Sequence, residues 1–141
     1  MTIRNIGVGL ILIGLASAIP VAADDLNGAD VILCTAVQAT RCFADGECVS
    51  GQPWNWNIPQ FIEVDLKNGE LRTTKASGEY RKTPIDNHKR EDGLIILQGT
   101  QNARAFSFVI AEESGMVSIA VAAEGLSVTV FGACTPVARG R

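Results

Sequence analysis

Two tryptophans and two asparagines alternate in one nine-residue run, Gly51-Gln-Pro-Trp54-Asn55-Trp56-Asn57-Ile-Pro59, and both tryptophans of the chain lie in it. If that run is extended, Trp54 and Trp56 project to one side and Asn55 and Asn57 to the other. The result is a flat aromatic surface of the kind that stacks on sugars or anchors a protein partner. The same residues have a plainer use as a lid, since two indoles over the open end of a small barrel bury apolar area with no ligand at all.

Groups that could do covalent or acid-base chemistry are sparse. The chain has one histidine, His88, within Ile85-Asp-Asn-His-Lys-Arg-Glu-Asp92, whose neighbours prefer water. Glu91-Asp92 and Glu112-Glu113 are adjacent pairs beside turn signals, and adjacent side chains on a strand point apart, so neither pair converges on one reacting atom. Gly-x-Ser-x-Gly, His-Glu-x-x-His and a phosphate-cradling Gly-Lys-Ser/Thr loop are all missing. An enzyme would have to rely on carboxylates or Tyr80, and a non-catalytic domain without a cofactor is expected. Asp45-Gly46-Glu47 lacks the spaced oxygen ligands of a calcium loop and reads as a turn.

The four cysteines are Cys34, Cys42, Cys48 and Cys134. Zinc would favour a Cys-x2-Cys knuckle, which the spacing Cys-x7-Cys-x5-Cys does not provide, so no metal site is expected. An even number in an exported chain favours disulfides. Of the three possible pairings, the turn dipeptide Asp45-Gly46 between Cys42 and Cys48 favours joining those two. That leaves Cys34 with Cys134, a bridge tying the first strand to the last.

Export is read from the start of the chain. Arg4 precedes an uncharged run from Ile6 to Ala23, Pro20 breaks it, and Val21-Ala22-Ala23 supplies the small residues a signal peptidase reads. Residues 1–23 are therefore read as a signal peptide and 24–141 as a single β-domain in the periplasm. No stable membrane insertion is expected after cleavage. Taking 23 residues from 141 leaves 118; Arg4 goes with them, so 11 basic residues face 15 acidic, a net charge of −4. An acidic chain without clustered Lys and Arg does not suit nucleic acid. The segment Lys75 to Asp92 holds five basic and four acidic residues and reads as a solvated face.

Apolar residues recur with a period of two. Ile62, Val64 and Leu66 share one face, as do Phe106, Phe108 and Ile110, then Val117, Ile119 and Val121, then Val128 and Val130. Strands are expected at 31–37, 40–44, 61–66, 71–74, 79–83, 94–97, 104–110, 116–122 and 126–130. Val49 to Pro59 and Pro84 to Asp92 are expected as connections, and residues 137–141 as a frayed tail. Lys67-Asn68-Gly69-Glu70 is expected to turn as a type I′ hairpin with positive φ at both Asn68 and Gly69. About eight short-linked strands indicate an all-β, antiparallel up-and-down barrel stapled by disulfides, the alternative being a two-sheet sandwich. Its inward Phe106, Phe108 and aliphatic residues are expected to fill much of the interior.

The segments Leu33-Cys-Thr-Ala-Val-Gln-Ala39, Cys42-x5-Cys48, Arg104-Ala-Phe-Ser107 and Phe131-Gly-Ala-Cys-Thr-Pro136 together resemble small exported bacterial proteins over roughly Val31 to Pro136. The resemblance implies a periplasmic setting and one domain, and carries no activity. The expected function is binding of a protein partner or envelope component through Trp54, Asn55, Trp56 and Asn57. A lipocalin-like carrier of an apolar ligand is the alternative.

Overall fold

A computed structural model describes residues 25–78 and 80–138; the segment read as a signal peptide lies outside them, as do residues 139–141 of the tail. Among the described residues ten strands form: β1 (Val31–Phe43), β2 (Cys48–Gly51), β3 (Phe61–Asp65), β4 (Glu70–Thr73), β5 (Lys82–Pro84), β6 (Asn87–Glu91), β7 (Leu94–Gln101), β8 (Arg104–Ala111), β9 (Met116–Ala123) and β10 (Leu126–Pro136). They make one antiparallel sheet in the order β5-β4-β3-β1-β10-β9-β8-β7-β6, with β2 beside β1. The fold is thus all-β and barrel-like, one curled sheet rather than two facing ones.

The two ends of that order are consecutive in the chain. Only Ile85 and Asp86 separate β5 from β6, and their amides donate to opposite sides: Ile85 N–H to the Gly69 carbonyl at 2.8 Å, Asp86 N–H to the Gln98 carbonyl at 2.9 Å. Alternating amides of this kind belong to a strand with neighbours on both sides. The Thr83 hydroxyl also donates to Gln101 Oε1 at 2.8 Å. Segment 82–91 therefore spans the gap between β4 and β7 and leaves little open edge for another chain to pair with.

β1 organises the rest. Along one side it pairs with β10 throughout; along the other it meets β3 through Val31 to Thr35 and then β2 through Ala39 to Cys42. A bulge lies between Ala36 and Gln38, and it reverses the phase of the strand. Cys34 and Ala36 face inward before it, and Ala39 and Arg41, opposite Val130 and Val128, face inward after it. Gly132 sits across from the bulge, where a Cβ would overlap the Thr35 carbonyl.

Both expected disulfides form. Cys34–Cys134 joins directly opposed residues of β1 and β10 in the core, and Cys42–Cys48 joins opposed residues of β1 and β2 on the outside. Ile32, Val64, Ile95, Leu97, Phe108, Ile110 and Val130 are almost wholly buried. One end of the interior is plugged by Leu26, which has 0% exposure. Its N–H donates to the Glu112 carbonyl at 2.9 Å. Arg90 fastens the plug by donating to the Ala29 carbonyl and pairing with the Glu112 carboxylate.

Several local expectations are corrected. The two short strands near the first cysteines are one, continuous through the bulge. Pro84 to Asp92 is not a loop: β6 lies within it, and every one of its residues is exposed, so no apolar alternation marks it. The turn after β3 is a four-residue loop with positive φ at Gly69 and not at Asn68. Asp65, fully buried, accepts the Asn68 N–H at 3.0 Å and its side-chain amide at 2.8 Å, which holds Asn68 without a left-handed backbone. Arg72 also pairs with Asp65 at 3.3 Å, and its hydrogen bond to Glu70 raises its pKa above the usual arginine value. The tail remains pinned at Val137, whose N–H donates to the Val31 carbonyl at 2.9 Å.

Candidate functional site

The end of the barrel opposite Leu26 is not filled. A cavity of about 170 Å³ remains there, between the inward rows of β8, β9 and β10 and the segment Asn57-Ile58-Pro59. Phe106, Phe108, Ile119, Val121 and Val130 give it an apolar wall, and Ile62 and Leu71 close the other side. Phe106 and Phe108 meet edge to face with centroids 5.9 Å apart. The Phe106 ring lies over Gly99, the one position in β7 where a Cβ would collide with it.

The mouth is polar. Asn57, Arg81, Gln101, Asn102 and Arg104 line it, and no carboxylate of the described residues lines the cavity. Arg104 is there because β8 alternates: Arg104, Phe106, Phe108 and Ile110 occupy one face, and Arg104 is its outermost member. Beside it lies a second hollow of about 110 Å³, formed by Arg41, Trp56, Arg104, Val121, Leu126 and Val128. The two hollows share Arg104 and Val121. Arg41 reaches this end only because the bulge in β1 turns it inward. Its guanidinium lies 4.6 Å from the Phe43 ring centroid and 5.9 Å from that of Trp56.

The tryptophan run is a 3₁₀ helix, Pro53–Trp56, not an extended loop. Pro53 occupies its first turn, where a proline ring is pre-set for helix, and Asn57 ends it in the left-handed conformation at φ 58° and ψ 32°. At three residues per turn, side chains two apart diverge by about 120°. Trp54 and Trp56 accordingly part. Trp56 is half-buried against the core and over Gly51, capping the barrel end. Trp54 is 54% exposed and borders an adjoining groove with Gln60 and Ala76, which shares Asn57, Pro59 and Arg81 with the cavity. Asn55 is exposed, and Asn57 joins both the groove and the mouth of the cavity. The four residues therefore do not form one surface: Trp56 is the lid, and Trp54 points away from it.

His88 lies on β6 and is exposed, as are Glu91 and Asp92; Glu112 is buried beneath Arg90 at the plugged end. No group of three or more His, Cys, Asp or Glu among the described residues is placed to hold a metal ion. Nor is any helix among them long and apolar enough to cross a membrane. Arg41, Arg81 and Arg104 were not singled out from the sequence, although the alternation that turns Phe106 and Phe108 inward turns Arg104 inward as well. A scan against protein-family models and a search of the curated proteins both found no match for this chain.

Proposed function

We propose that this is a non-catalytic, exported binding domain that takes a small, largely apolar molecule into the end of its barrel, in a periplasmic setting. One observation carries the reading: an apolar cavity of about 170 Å³ opens past a polar mouth at the end of the barrel capped by Trp56. Engineered apolar cavities on the order of 150 Å³ stay dry and take up benzene, so the volume suits one ring or a short branched chain. For so few atoms, dissociation constants in the millimolar to high-micromolar range are expected, about −4 to −6 kcal/mol. Export is supported by the signal-like start and by two disulfides, which persist in oxidising compartments.

The test is an amide-resolved NMR titration of the disulfide-intact protein with toluene. Saturable shifts in β8 and β9 are expected, and Val121→Phe, which enlarges a side chain of the apolar wall into the cavity, should abolish them with the spectrum otherwise well dispersed. Toluene that leaves those strands untouched would refute the reading.

A second reading keeps a partner protein or envelope component, and the exposure of Trp54 beside a groove favours it. Trp54→Ala should then lose a partner retained by the wild type from envelope extract, without loss of stability. Equal retention would remove that reading.

A further inference from the structure

We infer that the ligand of this cavity is a small amphipathic anion, an aryl or short-alkyl monocarboxylate whose apolar part enters the barrel and whose carboxylate sits between Arg104 and Arg41. This rests on the proposed cavity function and specifies its chemistry.

Three observations lead to it. First, both arginines occupy inward-facing positions at the same barrel end, on strands whose other inward residues are apolar or small. Arg41 is half-buried there and Arg104 is exposed at the rim, so both are within reach of a ligand entering from solvent. Second, neither forms an ion pair or hydrogen bond with any described residue, whereas Arg72 and Arg90 are tied to carboxylates. No carboxylate lines either hollow. Arg104 also borders a shallow surface with Glu124, in the turn between β9 and β10. Third, the guanidinium carbon of Arg41 lies over the Phe43 ring and 5.9 Å from the Trp56 ring centroid, a cation–π placement. A guanidinium in contact with aromatic rings can keep N–H donors free for a two-point grip on a carboxylate. Because Arg104 and Val121 border both hollows, a ring against Phe106 and Phe108 and a head group beneath Trp56 can belong to one molecule. Asn57, Gln101 and Asn102 add neutral polar groups at the mouth without opposing charge.

The test compares two probes of nearly equal shape, phenylacetate and phenylacetamide, titrated into the disulfide-intact protein at low salt and followed by amide NMR. Phenylacetate is expected to bind about tenfold more tightly, the lower end for a charge-assisted contact at a partly wet site. In the double variant Arg41→Gln, Arg104→Gln that preference should vanish while phenylacetamide binds as before. Lys67→Gln, one charge removed from the β3–β4 loop, should keep the preference, showing that net charge is not its source. Equal binding of both probes to the wild type would overturn the inference and leave the cavity function standing. A preference that survives the double variant would overturn the placement of the carboxylate. Failure of both probes to shift β8 and β9 would remove the cavity function itself.

Discussion

The two disulfides close loops of very different size, and that difference sets an ordering that can be measured. Cys34 and Cys134 are 100 residues apart, and Cys42 and Cys48 are six apart. In the chain-entropy model the longer loop restrains the unfolded chain by about 4.7 kcal/mol and the shorter by about 2.2 kcal/mol at 25 °C. Burial widens the gap: Cys34 and Cys134 are 1% and 7% exposed, so replacing them with alanine also loses packed sulfur, whereas Cys48 is on the surface. The double variant Cys34→Ala, Cys134→Ala should therefore lose at least about 2.5 kcal/mol more than Cys42→Ala, Cys48→Ala, the loop term alone, with lost packing adding to it. With a total stability on the order of 5 to 15 kcal/mol, the first variant would be marginal and the second comfortably folded. Urea unfolding followed by tryptophan fluorescence gives both values, and slopes that agree between variants validate the comparison. A Cys42/Cys48 variant as destabilised as the Cys34/Cys134 variant would refute the claim that closing the long loop is what matters.

Leu26→Ala should cost about 3 kcal/mol, within the usual range for a fully buried leucine, and a loss below about 1 kcal/mol in urea unfolding would show that the plug is not part of the core. Gly132→Ala should cost about 3 kcal/mol or more, because the overlapping atom is backbone and cannot swing aside; a thermal melt within a few degrees of wild type would contradict this. Trp54→Ala should change stability by no more than about 0.5 kcal/mol and Trp56→Ala should reduce it by about 2 kcal/mol, since the first indole is exposed and the second caps the core. Equal effects in urea unfolding would mean that the cap is misassigned.

Where one face of a strand is buried, the sequence made the fold legible: β3, β8 and β9 follow the alternation of their apolar residues, and the Asp-Gly turn marked the Cys42–Cys48 pair. What it concealed had physical causes. β6 is exposed at every position, so it carries no pattern to read; its place is set by the backbone of β7. Arg41 points inward only through a one-residue bulge, and strict alternation from Cys34 puts it outside. The tryptophan run looked extended by its alternation, yet Pro53 and the left-handed Asn57 set a 3₁₀ turn that separates the indoles. Leu26 follows two aspartates and looks like spacer, and its burial depends on contacts with Glu112 and Arg90, far along the chain. The mouth of the cavity was the least legible part, because its residues come from three segments far apart in the chain, around Asn57, Arg81 and Gln101 to Arg104.

The bond between Cys34 and Cys134 also decides what a protease can accomplish. Any single cut from Thr35 to Ala133 falls inside the loop it closes, so the two pieces stay joined. The exposed Lys75 to Gly78 turn and the Trp54 segment both lie in that span. A nick at either site would leave a molecule of unchanged covalent mass apart from one added water, with its strands still held in register. Fragments would separate only after reduction. For a protein read as exported among hydrolases, damage to either exposed loop would then be survivable, because scission there releases nothing.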